Sequence, residues 1–227
     1  MRQLLQLLFF MLSSAVWASD ADTLTTVCYD FNEPLGNEWM YIHEPVSENY
    51  RIHDGMLRIF ASVTSLKDDV QPTFVGLRPE SEDYSMTMKI AQTDFLDSDE
   101  VGLAVYQAPM GYVQCYIYNL RGDRRMRVRL VLKNITTLMS DRSIGNTMPV
   151  WIRLDASSGM YRFSYSTNGQ RYVALESVDQ SLLRPVVVGQ GDGIQVGPYA
   201  YMGSPKSQSG HSFGDIEELE ITYPKKD

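Results

Sequence analysis

Five side chains on predicted strands have the chemistry that binds a sugar. They are Tyr106, Tyr116, Tyr118, Trp151 and Arg153. Aromatic rings pack against the flat C–H faces of sugar rings, while sugar hydroxyls need amide, guanidinium or carboxylate partners. The competing interpretation is that the tyrosines fill a second apolar layer of the protein itself. The residue types leave both interpretations open.

Glycoside hydrolysis needs a pair of carboxyl groups, roughly 5 Å apart in retaining enzymes and about 6.5–9.5 Å apart in inverting ones. The nearest run of carboxylates is Asp-Ile-Glu-Glu-Leu-Glu at residues 215–220, in the last predicted strand. Charged side chains on a strand commonly protect an exposed sheet edge from pairing with other chains. We therefore interpret this run as the guard of an edge strand and expect no catalysis from it.

Other catalytic patterns have little support in the sequence. His43, His53 and His211 form no His-x-His or His-x-x-x-His pair, so a catalytic zinc site is not indicated. Cys115 alternates with apolar residues as a buried side chain does, which makes it a poor nucleophile. A lyase that uses tyrosine and histidine stays open, because such a pair needs no motif.

The segment from Val150 to Leu175 has the clearest structural pattern in the chain. Apolar and polar residues alternate on both sides of Ser158-Gly159, which is the period of half-buried strands. Ser158-Gly159 and Asn168-Gly169 tolerate positive φ and separate the runs. The segment therefore predicts three consecutive antiparallel strands. The aromatic residues of its second run are expected in the core, with Trp151 and Arg153 facing away from it.

About a dozen short strands at regular spacing account for the rest of the chain, with one helical turn expected at 179–184. Asp54-Gly55 predicts a tight hairpin between two of the strands. The acidic run at 94–100 does not match the spacing of a calcium loop, so we expect a solvated loop there. This pattern predicts an all-β fold, a two-sheet antiparallel β-sandwich.

Length, charge and the N-terminal residues set the broad class. Residues 1–18 combine a basic Arg2, an apolar run and small residues near a cleavage point, which is typical of a secretory signal peptide. A transmembrane anchor is the competing interpretation, but the apolar run is shorter than the roughly 20 residues that span a bilayer. We expect one β-sandwich domain over 19–227. The formal net charge of −8 argues against nucleic acid as a partner.

Only two cysteines occur, Cys28 and Cys115. Both lie in apolar runs, which predicts that both are buried as small apolar side chains. An oxidising compartment would permit a disulfide, and the spacing in the sequence leaves that question open.

Several runs together resemble the concanavalin A-like β-sandwich, or jelly roll, found as the C-terminal domain of β-xylosidases and arabinofuranosidases of glycoside hydrolase family 43. The runs are Leu35-Gly-Asn-Glu-Trp39, Asp54-Gly-Met-Leu-Arg58, Phe74-Val-Gly-Leu-Arg78, Glu100-Val-Gly-Leu-Ala-Val-Tyr-Gln107, Val150-Trp-Ile-Arg-Leu-Asp155, Tyr161-Arg-Phe-Ser-Tyr-Ser166, Val196-Gly-Pro-Tyr-Ala200 and Phe213-Gly-Asp215. Their order and spacing cover nearly all of the chain after the predicted signal peptide.

The resemblance carries two implications. In the family the hydrolytic carboxylates belong to a separate propeller domain, which we do not expect here, so inherited glycosidase activity is unsupported. Sandwiches of this wider class often hold a structural calcium ion near the first and last strands, and the matching carboxylates are Asp30 and Asp215. Because Ca²⁺ takes six to eight oxygen ligands, carbonyl groups and water would have to complete that shell.

These observations predict a secreted, non-catalytic carbohydrate-binding β-sandwich that recognises a polysaccharide or glycan. One alternative is a concanavalin-fold glycoside hydrolase or polysaccharide lyase. The other is an exported structural or interaction domain that binds no sugar. We expect a periplasmic or extracellular location, no integral membrane segment after signal cleavage, and no nucleic-acid partner.

Overall fold

A computed structural model describes residues 24–68, 70–204 and 212–224; the predicted signal peptide and His211 lie outside these ranges. Two antiparallel sheets dominate the described residues, which confirms the predicted all-β, concanavalin A-like sandwich. The strands are β1 Thr25–Tyr29, β2 Met40–Tyr41, β3 Tyr50–His53, β4 Met56–Phe60, β5 Thr73–Gly76, β6 Tyr84–Asp94, β7 Glu100–Ala108, β8 Gly111–Leu120, β9 Asp123–Leu132, β10 Ile135–Ser143, β11 Val150–Ser157, β12 Met160–Ser166, β13 Val173–Asp179, β14 Gln195–Tyr201 and β15 Phe213–Tyr223. Helical turns occur at Ser47–Asn49, Gln180–Leu183 and Pro185–Val188.

The eight-stranded sheet has the order β13-β12-β11-β6-β15-β4-β3, and β1 pairs with the far end of β15. The seven-stranded sheet has the order β10-β9-β8-β7-β14-β5-β2. Strands β7 to β10 are consecutive hairpins, and so are β11 to β13, the second group as its turn residues predict. The neighbours of β14 and β15 come from distant parts of the sequence.

The hairpin turns follow from residues that adopt positive φ. Asp54 and Gly55 have φ of 51° and 69°, and Ser158 and Gly159 have φ of 53° and 73°. Positive φ at both central residues matches the right-handed twist of the flanking strands, which is why such pairs close two-residue hairpins. The predicted meander β11-β12-β13 is confirmed with this geometry.

The core lies between the two sheets and takes every second residue of strands such as β6 and β11. Val150, Ile152 and Leu154 are fully buried, while Trp151 and Arg153 between them lie on the outer face. Phe163 of β12 is also buried, as predicted. Period-two alternation thus determines which face of a strand is buried, since successive side chains point to opposite faces.

Four local predictions are wrong. β15 is not an edge strand, because it pairs with β6 on one side and with β4 and β1 on the other. Cys28 is exposed rather than buried, although Cys115 is fully buried as predicted, and the two thiols are free. Asp99 is fully buried rather than solvated, because Ser204 N–H and the Ser212 hydroxyl donate to its carboxylate. Strand β10 was not predicted.

Among the described residues, helices are short turns, and none is long and apolar enough to cross a membrane.

Candidate functional site

The structure separates the five predicted sugar-binding residues onto two opposite outer faces. Trp151 and Arg153 lie on β11 of the eight-stranded sheet, and the three tyrosines lie on β7 and β8 of the seven-stranded sheet. No single ligand surface includes both groups. They must therefore be considered as two candidate sites.

The tyrosines face away from the main core, as their alternation predicts, but they are not an open platform. Tyr116 is 0% exposed, Tyr118 4% and Tyr106 6%. Tyr199 of β14 fills the space above Gly102, with its ring centroid 6.1 Å from that of Tyr116 in an edge-on contact. These three tyrosines therefore form no exposed shelf for a ligand. The small residue makes room for a neighbouring tyrosine of the same protein rather than for a ligand.

Polar groups beside these tyrosines are already paired with one another. Glu100 binds the guanidinium of Arg129 through two hydrogen bonds of 2.9 and 2.7 Å. The Tyr118 hydroxyl donates to Asp141 at 2.8 Å, and Arg127 donates to the same carboxylate at 2.6 Å. We call this buried surface the tyrosine face. Its main hydrogen-bonding groups are occupied internally, so few donors or acceptors remain for a sugar.

Trp151 and Arg153 lie in an open depression of about 420 Å³ on the eight-stranded sheet, here called the Trp151 groove. Its volume falls within the roughly 300–1,000 Å³ typical of ligand pockets. The lining residues are Thr87, Lys89, Trp151, Arg153, Gly169, Gln170, Tyr172, Glu218 and Glu220. The groove therefore combines two aromatic rings, two cations and two carboxylates.

Strand register builds the floor of the groove from two rows of side chains. Trp151 of β11 lies opposite Lys89 of β6, which lies opposite Glu218 of β15. Two residues further along, Arg153 lies opposite Thr87 and Thr87 opposite Glu220. Because residues i and i+2 of a strand share a face, both rows project outward together.

The two cations of the groove are held by carboxylates just outside it. Lys89 Nζ lies 2.6 Å from Glu217 Oε1 and 5.5 Å from the centre of the Trp151 ring. Arg153 binds Asp155 at 3.0 Å, and its guanidinium lies 5.6 Å from the Tyr172 ring centre. These contacts fix both long side chains against aromatic faces, an arrangement that cation–π attraction stabilises.

The loop after β12 completes the wall of the groove. Gly169 has a φ of 72°, and an added Cβ there would lie 3.1 Å from the Trp151 indole. Glycine is thus required both for the turn and for close approach to the indole. Partial burial raises the pKa of Tyr172 above its ordinary value, although nearby Arg153 and a hydrogen bond with Thr87 lower it. Its hydroxyl is therefore protonated at neutral pH and can donate to a ligand.

Glu218 and Glu220 meet Cys28 of β1 at the groove's edge, with their ligand atoms all within 4.8 Å of one another. Slight burial and the two neighbouring carboxylates raise the pKa of the Cys28 thiol. A thiol that stays protonated is a weak metal ligand. Both carboxylates also line the groove, where their oxygens can accept hydrogen bonds.

The predicted calcium ligands do not fit a calcium ion where the structure places them. Asp215 is fully buried, and its carboxylate accepts two hydrogen bonds from Arg58, at 2.7 and 2.8 Å, and one from Gln92 at 2.6 Å. Burial alone would raise the pKa of Asp215, but these hydrogen bonds lower it below its ordinary value. Asp30 is exposed and binds Asn32. A guanidinium occupies the place at Asp215 that Ca²⁺ would need.

Comparison with known proteins identifies the fold family. Residues 28–213 match the beta-xylosidase C-terminal concanavalin A-like domain of glycoside hydrolase family 43. The chain belongs to this family. It is 24% identical over 196 residues to a non-reducing end alpha-L-arabinofuranosidase of Bacteroides ovatus, a match that covers 85% of this chain and 36% of that protein.

Solved structures agree with this family assignment. The family 43 protein BlXynB of Bacillus licheniformis has a TM-score of 0.78 at 19% identity, with 90% of this chain and 40% of that chain covered. A family 43 protein of a Bacteroides ovatus xyloglucan locus also has a TM-score of 0.78, at 21% identity, with 86% and 38% covered. At these identities the similarity concerns the fold alone. The chain spans about two fifths of the length of these family members.

Sequence reasoning found Trp151 and Arg153 but missed the rest of the groove. Thr87 and Lys89 alternate with buried methionines on β6, so the outward orientation of their side chains could be predicted from the sequence. Their position beside Trp151 was not, because the β6–β11 pairing joins segments about 60 residues apart. Glu218 and Glu220 lie beyond the residues that match the family.

Proposed function

We propose that this protein is an exported, non-catalytic carbohydrate-binding β-sandwich that holds a glycan in the Trp151 groove. The observation that carries the proposal is the cross-strand arrangement of Trp151 and Arg153 with Lys89, Glu218 and Glu220 beside Tyr172. The aromatic rings offer apolar contact to a sugar ring. The carboxylates accept hydrogen bonds from its hydroxyls, and the cations donate to them. The N-terminal sequence pattern supports export.

The names of the relatives suggest which glycans to test. They include an arabinofuranosidase, a xylan beta-1,4-xylosidase and a protein of a xyloglucan locus. Arabinoxylan and xyloglucan are therefore the first probes. Both are neutral polymers rich in hydroxyl groups, which can donate to Glu218 and Glu220 in the groove.

The test measures retardation of the purified protein in native gels that contain arabinoxylan or xyloglucan, followed by calorimetry with oligosaccharides. We expect Trp151→Ala to lower affinity about 30-fold, because a central aromatic anchor typically contributes about 2 kcal/mol or more. Leu138→Ala is the control, since this exposed apolar side chain lies on β10 of the other sheet. Equal binding by wild type and Trp151→Ala would refute the groove. No binding across a broad glycan array would favour a structural or interaction domain.

A concanavalin-fold hydrolase is the second candidate, because the carboxylate oxygens of Glu218 and Glu220 lie within 4.8 Å of each other in the groove. Retaining glycosidases place two carboxyl groups about 5–5.5 Å apart. Release of reducing ends from either polymer, abolished in both Glu218→Gln and Glu220→Gln, would support hydrolysis. Binding without product release supports the binding module. Release of unsaturated products would instead indicate a lyase.

A further inference from the structure

A second cavity, of about 430 Å³, opens at one end of the sandwich between the two sheets, and we call it the end pocket. Tyr84 of β6 and Tyr161 of β12 line it from the eight-stranded sheet, and Gln107 of β7 lines it from the other. Leu183 of the short 3-10 helix and Ile194 add apolar walls. None of these residues takes part in the Trp151 groove.

Two polar atoms that line the end pocket lack a hydrogen-bond partner among the described residues. They are the hydroxyl of Tyr84 and the side-chain nitrogen of Gln107. Tyr84 is 5% exposed and Gln107 3% exposed. A buried polar group without a partner costs about 1–3 kcal/mol, so native proteins rarely keep one without a purpose or a bound molecule.

Local backbone features hold these two side chains in place. Tyr84 and Tyr161 lie on either side of Ala156, their common neighbour on β11, whose small side chain leaves room for both rings. Gln107 is the extra residue of a bulge in the β7–β8 pairing, between Tyr106 and Ala108. Bulges turn a side chain away from the regular alternation and are frequent beside binding sites.

The loop that precedes β14 closes over the bulge. A Cβ added at Gly191 would lie 3.1 Å from the side-chain nitrogen of Gln107 and would clash with the backbone carbonyl oxygen of Gln107. Arg78 donates a hydrogen bond to the carbonyl of Asp192 in the same loop. The loop is thus tied to the mouth of the pocket, and its glycine lets it approach Gln107 closely.

We infer that the end pocket binds the terminal one or two rings of a neutral sugar. The unpartnered side-chain nitrogen of Gln107 can only donate, so the ligand must bring an acceptor oxygen, while the Tyr84 hydroxyl can donate or accept. A sugar hydroxyl meets both needs, because it accepts from one group and donates to the other. The Tyr161 ring, Leu183 and Ile194 offer apolar contact to the C–H groups of the ring.

The charges around the mouth favour a neutral ligand over an anion. Arg78 and Arg184 line the same pocket as Glu80 and Glu82, so the formal charges of these four side chains cancel. Burial, with a smaller contribution from the nearby Glu82 carboxylate, raises the pKa of Tyr161 to about 12. A carboxylate or phosphate would therefore find no net positive charge at the rim. A volume at the low end of the range for ligand pockets suits one or two sugar rings.

The end pocket extends the proposed function, because it also assumes that the protein recognises glycans. It differs in form, since the groove is open along the sheet and suits the middle of a polymer, whereas the pocket suits a chain end. The two proposals can therefore be refuted separately. Loss of polymer binding in Trp151→Ala concerns the groove alone.

The experiment titrates the full chain with D-xylose, L-arabinose, D-glucose, D-galactose and xylobiose at millimolar concentrations, observed by NMR. At least one sugar is expected to shift the methyl signals of Leu183 and Ile194 in a saturable way. Tyr84→Phe and Gln107→Met should each weaken that binding about three- to tenfold, since each removes one neutral hydrogen bond. Trp151→Ala should leave it unchanged.

Two results would overturn the inference. One is that no probe shifts the Leu183 or Ile194 methyl signals, which would mean that water satisfies Tyr84 and Gln107. The other is that a probe binds equally well to wild type, Tyr84→Phe and Gln107→Met. The wild-type titration gives an answer even if a variant fails to fold. Polymer binding that depends on Trp151, without small-sugar binding, would refute the pocket and leave the proposed function intact.

Discussion

Replacing Arg58 by methionine should destabilise the protein more than any comparable surface change. Arg58 is 19% exposed and binds the fully buried Asp215 through two hydrogen bonds, and its guanidinium lies 3.6 Å from the Phe213 ring centre. Arg58→Met leaves that carboxylate buried without its cation. Removing one partner of a buried ion pair costs about 3–5 kcal/mol. Because Gln92 still donates to Asp215 and water can reach position 58, we expect a loss at the lower end of this range, about 3 kcal/mol.

The assay is urea and thermal unfolding at pH 7. A loss of about 3 kcal/mol corresponds to a fall in Tm of roughly 6–12 °C for a domain of this size. Arg162→Met, at an exposed arginine that binds Ser157, is the control and should change stability by less than about 0.5 kcal/mol. The double variant Arg58→Met/Asp215→Asn should recover part of the loss, because it removes the unpaired charge.

Unfolding across a pH series checks the same reasoning. The pKa of Asp215 is lower in the folded protein than in the unfolded chain, where aspartate has a pKa of about 3.9. Its contribution to stability is therefore full above that unfolded value and is lost as the pH falls through the folded value. The stability difference between wild type and Asp215→Asn should shrink over this acidic range. Wild-type stability in Arg58→Met, or no pH dependence of the difference, would refute the ion-pair argument.

Two further predictions concern the tyrosine face and the calcium hypothesis. Gly102→Ala should destabilise the protein by about 1–3 kcal/mol in urea unfolding, because the added Cβ would lie 2.5 Å from Tyr116 Cα. Unchanged stability would mean that the close packing of β7 against β8 is wrong. A chelator should leave the wild-type Tm unchanged in calcium-containing buffer, because Arg58 and Gln92 already satisfy Asp215; a fall in Tm would restore calcium as a structural ligand.

The sequence predicted the direction of side chains better than their surroundings. Alternation is a local property, so it assigned Cys115 to the core and Tyr116 to the opposite face of β8 correctly. Burial of Tyr116 depends on Tyr199, whose strand β14 follows β8 by about 75 residues and pairs with β7. Nothing in a local pattern determines that pairing. By residue type the tyrosines therefore match a ligand platform, but the pairing of β14 with β7 buries them within the protein.

The same reason explains the error over β15. Its alternating carboxylates match the charge that protects an edge strand, and only the pairing with β6 shows that the strand is central. Strand β10 was missed for the opposite reason. It is an edge strand on which Ile135 and Leu138 are both exposed, so it lacks the apolar alternation of a half-buried strand. Edge strands give weak periodic signals because fewer of their side chains reach the core.

A central β15 changes what its carboxylates can do. On an edge strand, Glu218 and Glu220 would face solvent beside unpaired backbone groups. Between β6 and β1, they project from the middle of a rigid sheet, in register with Lys89 and Thr87. Lys89 binds Glu217 and Arg153 binds Asp155, so the cations of the groove do not neutralise the two carboxylates that face it. Two acceptors whose backbone is fixed in the sheet beside Trp151 give the groove its proposed preference for ligands rich in hydroxyl donors.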